Sequence, residues 1–384
     1  MIPRTLFDEE HDMFRRSVRR FVEQEIVPHH PAWEAAGVVP RELWHMAGEL
    51  GLLCPDAPEA YGGPGANYLY NVIVTEELLR VGATGPGFLL HSDIVLPYIA
   101  HHGTEGQKEH WIPKMVSGEV VTAIAMSEPG AGSDLQGIST RALEDGADFV
   151  LNGAKTFITN GQLCDLVIVA AKTDPSLGAG GISLFLVEAD RPGFQRGTNL
   201  DKVGMKAQDT SELFFEDVRV PRSALLGPLG GGFALLMQEL AQERLAVAVM
   251  TMASAQAALD WTVEYVNERR AFGKPIAKFQ NTRFKLADLA ATLMVGRTFV
   301  DRCLALHLEG ELDIPTAAAA KLWTSETQFE VMDTCLQLFG GYGYMSEYPI
   351  SRAWTDARIQ RIWGGTSEIM RELVARSLLD GEGR

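Results

Sequence analysis

The sequence has few residues that could crosslink a fold or hold a metal ion. Its 384 residues include only four cysteines, without a CxxC pair or zinc-like spacing, at Cys54, Cys164, Cys303 and Cys335. Such cysteines are typical of reduced thiols. The histidine pairs His29–His30 and His101–His102 lack a carboxylate at a metal-binding spacing, so we expect no metal site.

Long apolar runs and long basic runs are also missing. No apolar stretch reaches the roughly 18 residues of a membrane span, so none is expected. The 34 basic and 50 acidic residues give a net charge of −16, which argues against a nucleic-acid partner. The acidic N-terminus resembles neither a signal nor a transit peptide. We expect a cytoplasmic (bacterial) protein, or a mitochondrial-matrix protein if a transit peptide has been removed.

The pattern of apolar and turn-forming residues along the chain changes twice, which predicts three domains. Up to residue 120 the pattern is helical; Phe14, Val18 and Phe21, for example, step by three or four. Short β-branched and aromatic runs over 121–226 indicate a small antiparallel β domain, in which Asn152–Gly153 suits a tight hairpin turn. From 227 to 384 the sequence predicts a helical bundle. The expected fold is therefore mainly α with a middle β domain.

A carboxylate lies on an apolar helix face in the segment LLMQELAQERLAVAVM. Glu243 shares a face with four aliphatic positions, spaced by three and four: Leu236, Leu240, Val247 and Met250. Burial raises the pKa of a carboxylate, as suits a general base. From spacing alone, Glu243 could equally pair with a cation (Arg244, Arg269 or Lys274) at the rim of the bundle.

Two glycine-containing segments are candidate ligand sites. The first, AMSEPGAGSD (125–134), follows a predicted strand, and its small residues let a ligand approach the backbone. It is not a dinucleotide fingerprint, because Leu135 replaces the third glycine. The second runs from Gln337 to Pro349 (QLFGGYGYMSEYP) and resumes at RIWGGTSEIMREL (361–373), where Thr366 and Ser367 are candidate N-caps. Ordinary turns and caps remain alternatives for both.

Taken together, these segments resemble the acyl-CoA dehydrogenase family over nearly the whole chain. AMSEPGAGSD is similar to the first family signature, the run from Gln337 to Arg371 to the second, and ERRAFGKPIAKFQ (268–280) to a flavin-contacting segment. The resemblance implies a helical domain, a middle antiparallel barrel-like β domain and a C-terminal four-helix bundle. It is strongest to the long-chain type, as in HSDIVLPYIA (91–100) and GMKAQDTSELFFEDVRVP (204–221).

The resemblance also implies an FAD site shared between two chains. One chain would supply the segments 124–133 and 157–159 and the loop after Trp363, and its neighbour the rest. The implied cofactor-binding residues are Ile124, Met126, Ser127, Gly132, Ser133, Phe157, Thr159, Arg269, Phe272, Gln280, Gln337, Gly340, Gly341, Thr366 and Glu368. The implied substrate-binding residues are Ser133, Leu240, Arg244, Gly364 and Gly365.

One departure from the family pattern bears on the chemistry. Many members carry a catalytic glutamate before the last Gly-Thr, whereas Trp363 is here followed by two glycines, Gly364 and Gly365. The long-chain and isovaleryl types instead place the base on a helix, in a segment similar to LMQELAQERL. The resemblance therefore implies Glu243 as the catalytic base. Ala234 replaces a tyrosine of the long-chain type, which leaves the acyl length open.

The implied activity is FAD-dependent α,β-dehydrogenation of acyl-CoA thioesters to trans-2-enoyl-CoA in fatty-acid β-oxidation, on medium or long chains. An electron-transfer flavoprotein is the implied electron acceptor, and a homotetramer built as a dimer of dimers is the implied assembly. The alternatives are a dehydrogenase of short branched or bulky acyl-CoAs, an acyl-CoA oxidase, and a catalytically silent flavoprotein partner.

Overall fold

The computed structural model describes residues 2–379, and its first part is helical. The Asp8 side chain caps α1 by accepting from the backbone N–H groups of Glu10 and His11. Val18 and Phe21 of α1 are buried, as the sequence pattern predicts. The helices are α1 (Glu9–Phe21), α2 (His30–Ala36), α3 (Arg41–Glu49), α4 (Leu69–Arg80), α5 (Leu96–His102) and α6 (Glu105–Val116). Two π-helical segments, Val22–Ile26 and Leu90–Val95, follow α1 and precede α5.

An eight-stranded sheet follows, and it is mixed rather than wholly antiparallel. Its order is β6-β7-β3-β2-β4-β5-β8, with β1 attached to β4. β1 runs parallel to β4, and one parallel bridge joins β2 to β4. The strands are β1 (Thr122–Ala125), β2 (Arg141–Asp145), β3 (Asp148–Thr159), β4 (Leu166–Lys172), β5 (Ile182–Glu188), β6 (Phe194–Asn199), β7 (Thr210–Pro221) and β8 (Leu225–Leu226).

The predicted turn at Asn152–Gly153 is wrong, because both residues lie inside β3. The hairpin turn falls earlier, at Gly146, where φ is 65°. Gly153 marks a β-bulge opposite β7 and has a φ of 155°. A Cβ there would collide with Thr140. Glycine is required by close packing and backbone conformation, not by a hairpin.

Three long helices dominate the last part of the chain. One face of α7 packs against α8 and α9, where Leu245, Met252, Leu293 and Met332 are buried in one core. A small hairpin, β9 (Arg270–Ala271) with β10 (Lys274–Pro275), separates α7 from α8. The helices are α7 (Gly232–Glu268), α8 (Gln280–Leu308), α9 (Ile314–Phe339), α10 (Pro349–Ala357) and α11 (Ser367–Leu379).

The three parts meet around the first half of α7. Gly232 begins α7 so close to β5 that a Cβ would lie 2.8 Å from the carbonyl carbon of Ser183. Tyr98 of α5 reaches α7 from the N-terminal helices. Residues of all three parts therefore lie against the first half of α7. Across residues 2–379, no helix combines the length and the apolarity needed to cross a membrane.

Candidate active site

Glu243 lies in the middle of α7 and is almost fully buried, with 4% of its surface exposed. The Tyr98 hydroxyl donates to its Oε1 over 2.8 Å. Burial raises the pKa of Glu243 to about 7, against the hydrogen bond from Tyr98 and the charge of Arg244, which lower it. A carboxyl with this pKa can take and return a proton near neutrality.

Arg244, next along α7, is a buried cation with free donors. It is 4% exposed, and its Nε and Nη1 have no hydrogen-bond partner among residues 2–379. Glu243 makes no ion pair with Arg269 or Lys274, which lie at the far end of α7. Unpaired donors of a buried guanidinium are costly unless a ligand or water meets them. Arg244 is thus placed to receive a polar group of a ligand.

The loop between Trp363 and Ser367 packs against α7 at Val247, one helical turn after Glu243. Gly364 and Gly365 have φ values of 61° and 94°. A Cβ on Gly364 would lie 3.7 Å from Val247 Cγ2, one helical turn after Glu243. The Thr366 hydroxyl accepts from the N–H of Ile369 and so caps α11, as predicted for this residue. The structure therefore brings Glu243, Arg244 and the two glycines together.

Lys321 of α9, which the sequence analysis did not single out, holds this loop in place. Its Nζ donates to the carbonyl oxygen of Gly365 over 2.6 Å, and the residue is fully buried. Burial, helped by the nearby charge of Arg244, lowers the pKa of Lys321 to about 8. A short loop fixed by a buried side chain can present its backbone N–H groups in one orientation.

The segment from Ile124 to Ser133 forms the edge of the β domain. Ile124 is buried in β1, whereas Gly130 and Gly132 face open space. The Ser127 carbonyl accepts from the N–H of Thr156, which ties the segment to β3. Its backbone is therefore accessible to a ligand at the glycines and fixed at the strand.

A buried ion pair holds the same segment from behind. Lys155 Nζ lies 2.9 Å from Glu128 Oε1 and also donates to the Met126 carbonyl over 3.0 Å. Burial opposes ionisation of Glu128, but the Lys155 charge and hydrogen bonds from Ser139 and Thr140 outweigh it and lower its pKa to about 2. Burial lowers the pKa of Lys155 to about 8, so both groups are ionised at neutral pH.

Phe157 stands out beside this segment, because a large aromatic side chain is exposed from a strained backbone. Its φ is 61°, its exposure is 70%, and the β3–β7 register shifts at this point. Such strain persists where the surroundings impose it, which is common at ligand sites. Beside the open glycines of the 124–133 segment, the exposed ring fits a planar cofactor such as a flavin.

A second group of predicted cofactor residues meets far from Glu243. Arg269, Gln337, Gly340 and Gly341 line a cavity of about 500 Å³. Arg269 Cζ lies 5.3 Å from the centre of the Tyr342 ring. Nearby, Phe272 is 94% exposed with a φ of 50°, and Gln280 begins α8 at the surface.

Within one chain these two groups do not come together. Glu243 and Arg269 lie 26 positions apart on α7 and its C-cap, or about 39 Å at a rise of 1.5 Å per residue. An extended dinucleotide flavin is shorter than this distance. The residues between 124 and 159 lie in the part of the chain that packs against the start of α7. A single chain thus carries two separate halves of the predicted cofactor site.

The fold and this site define a three-part flavoenzyme architecture, in which the buried carboxyl of Glu243 on α7 meets Tyr98 of the N-terminal helices. Comparison with known families gives the same division. The acyl-CoA dehydrogenase N-terminal domain matches residues 8–119, the middle domain residues 123–218 and the C-terminal domain residues 230–379. The chain belongs to the acyl-CoA dehydrogenase family.

Relatives and solved structures agree over almost the entire chain. Long-chain specific acyl-CoA dehydrogenase of Sus scrofa mitochondria is 53% identical over 378 residues, 98% of this chain and 88% of that protein. The acyl-CoA dehydrogenase structure from Geobacillus kaustophilus has a TM-score of 0.96 and 49% identity, covering 98% of this chain and 100% of that one. A Mycobacterium smegmatis glutaryl-CoA dehydrogenase in complex with FADH2 has a TM-score of 0.91 and 30% identity, covering 98% and 96%.

Proposed function

We propose that this chain catalyses the FAD-dependent α,β-dehydrogenation of acyl-CoA thioesters to trans-2-enoyl-CoA in fatty-acid oxidation, with Glu243 as the base. The observation that carries the assignment is a buried carboxyl with a pKa of about 7, in contact with Tyr98 and opposite a glycine loop. The similarity to a long-chain specific enzyme favours medium or long acyl chains.

Each side chain of the site has a role in this proposal. When bound, FAD supplies the hydride acceptor at its N5 atom. Glu243 removes the α-proton with Oε2, because Tyr98 already engages Oε1. Polarising the thioester carbonyl acidifies the α C–H, and we assign this task to a backbone N–H at Gly364, held by Lys321 through Gly365. Arg244, Leu240, Gly365 and Ser133 complete the proposed substrate site.

The proposed cofactor site draws on both halves described above. Phe157, beside Thr159, would pack against the flavin, while the backbone of 124–133 meets its polar edge through Ile124, Met126, Ser127, Gly132 and Ser133. Thr366 and Glu368 approach from the start of α11. We assign Arg269, Phe272, Gln280, Gln337, Gly340 and Gly341 of a neighbouring chain to the remainder of FAD. An electron-transfer flavoprotein, as in the family, is the proposed acceptor.

The test of the base is anaerobic bleaching of the flavin. Wild type, E243Q and E264Q are titrated with octanoyl-, palmitoyl- and isovaleryl-CoA. Glu264 is an exposed carboxylate on the same helix, so E264Q is a matched control. We expect substrate to bleach wild type and E264Q but not FAD-loaded E243Q, and octanoyl- or palmitoyl-CoA to act better than isovaleryl-CoA. Equal bleaching of E243Q would refute Glu243 as the base.

The shared cofactor site makes a homo-oligomer, proposed here as a dimer of dimers, part of the function. Its test is complementation between two inactive variants, E243Q and R269A, produced together. If each site takes Glu243 from one chain and Arg269 from the other, a mixed dimer has one intact site. Random pairing then restores about a quarter of the sites. If both residues served the same site from one chain, mixing would restore nothing.

A further inference from the structure

Two consecutive histidines and a distant glutamate converge at the junction of α5 and α7. His101 Nδ1 lies 2.9 Å and His102 Nε2 lies 2.7 Å from the same oxygen, Oε1 of Glu239. The three ligand atoms all lie within 4.8 Å of one another. Side chains of successive helical residues normally point about 100° apart. Here the end of α5 instead directs both imidazoles to one carboxylate.

We propose that His101, His102 and Glu239 bind a divalent cation of the zinc type. Two imidazoles and one carboxylate are a ligand set that zinc accepts, with a fourth position left for water. Tetrahedral zinc at about 2.0–2.1 Å from each ligand would hold the ligand atoms about 3.3 Å apart. The observed hydrogen-bond distances need only open by about half an ångström, since the ion takes the place of the two protons between the imidazoles and Glu239. Each neutral imidazole then carries its proton on the ring nitrogen that faces away from the ion.

The exposure of the three side chains gives an ion a path from solvent and a buried carboxylate to hold it. The His101 side chain is 57% exposed, that of His102 is 16% and that of Glu239 is 8%. An ion can reach His101 from solvent and be held against the buried carboxylate. Glu239 has no cationic partner of lysine or arginine type among the ion pairs of residues 2–379, so binding breaks no such pair.

The surrounding charges favour a cation on balance. Asp56 and Glu243 are acidic neighbours of His101 and Glu239, respectively. Lys108 opposes them from the side of His101. His307 of α8 also faces the cluster, and burial lowers the pKa of His307, which keeps it neutral at physiological pH. Two acidic groups outside the ligand set thus face one basic group.

A bound ion would have two structural consequences. It would crosslink α5 to α7, and therefore the N-terminal helices to the C-terminal helices. It would also place positive charge one helical turn before Glu243 and three residues after Tyr98. Neither consequence depends on the proposed acyl-CoA chemistry.

The experiment measures zinc binding to the FAD-loaded protein with any purification tag removed. Wild type, H101Q, H102Q and H110Q are dialysed against EDTA and then equilibrated with Zn²⁺, and bound metal is counted by elemental analysis. His110 is an exposed histidine of α6 outside the cluster, so H110Q is the matched control. We expect one zinc per chain in wild type and H110Q, and affinity at least about tenfold weaker in H101Q and H102Q.

A second readout separates the site from a folding defect. Zinc should raise the melting temperature of wild type and H110Q but not that of H101Q, whose exposed side chain leaves the unliganded fold intact. The proposal is overturned if wild type binds no zinc, or if H101Q and H102Q bind it as tightly as wild type.

Discussion

Replacing Glu243 with glutamine should stabilise the folded protein, and the stabilisation should grow as the pH rises. The reason is the cost of ionising a buried carboxyl. Burial raises the pKa of Glu243 from 4.5 to about 7 in the folded state. The contribution of this group to stability is therefore complete below pH 4.5, is lost as the pH rises towards 7, and stays lost above that.

The magnitude follows from the difference of the two pKa values. At about 1.36 kcal/mol per pH unit, the full penalty is on the order of 3 kcal/mol above pH 8. At pH 5.5, one unit above the unfolded-state value of 4.5, it is about 1.4 kcal/mol, because the unfolded chain is then largely ionised at this group while the folded protein still keeps it protonated. Glutamine keeps an oxygen that accepts from Tyr98, so the remaining effects of E243Q are independent of pH. The difference in the free energy of unfolding between E243Q and wild type should thus grow by about 2 kcal/mol from pH 5.5 to above pH 8.

The assay is thermal unfolding of the FAD-loaded wild type, E243Q and E264Q between pH 5.5 and 8.5. The melting-temperature difference between E243Q and wild type should increase by about 2–3 °C across this range, because the unfolding entropy of a chain of 384 residues is about 0.8 kcal/mol per kelvin. E264Q removes an exposed carboxylate of the same helix and should follow wild type at every pH. A difference between E243Q and wild type that does not change with pH would refute the raised pKa of Glu243.

Two further predictions concern side chains around the site. Y98F removes the donor to Glu243 Oε1, so the acidic limb of the kcat/KM profile should move to higher pH. The expected shift is about one to two pH units, because a hydrogen bond to a charged group contributes about 1.5–3 kcal/mol. An unmoved limb would contradict the role of Tyr98. K155M leaves the Glu128 carboxylate buried without its cation, so it should lower the free energy of unfolding by about 3 kcal/mol and lower the FAD content. The double variant K155M/E128Q should recover part of the stability and part of the FAD content. Equal losses in the single and the double variant would contradict this account.

The order of the elements and the face of Glu243 could be predicted from sequence, because both are local properties. Alternating and helical periodicities separate strands from helices, and Leu236, Val247 and Met250 are buried beside Glu243 as their spacing predicts. The domain limits at 120 and 226 stay predictions, supported by the gaps between the family-domain matches, 119 to 123 and 218 to 230.

Contacts between distant parts of the chain could not be predicted in this way. Tyr98 meets Glu243 across 145 positions, and His102 meets Glu239 across 137. Local periodicity gives no information about such distant pairs. The sequence analysis therefore found no carboxylate for His101–His102, whereas the fold places Glu239 beside them. The sequence around Lys321 gives only a weak indication of its role. A lysine within the apolar segment TAAAAKLW needs a buried hydrogen-bond partner if this face of the helix packs inward. The carbonyl of Gly365 is that partner.

The positions of the base and of the glycine loop depend on each other. Gly364 and Gly365 have positive φ values that side-chain-bearing residues rarely adopt. A glutamate in place of Gly364 would hold its backbone in a strained region, or the loop would have to change shape. With the carboxylate on α7, the loop can turn tightly against Val247, and Lys321 can fix it through Gly365. The proposed base, Glu243, then lies on a helix that is buried on several sides, and the loop is free for its proposed role of presenting backbone N–H groups. On this argument, a carboxylate does not fit at position 364 in the present shape of the loop, and α7 is the place from which Glu243 can act as the proposed base.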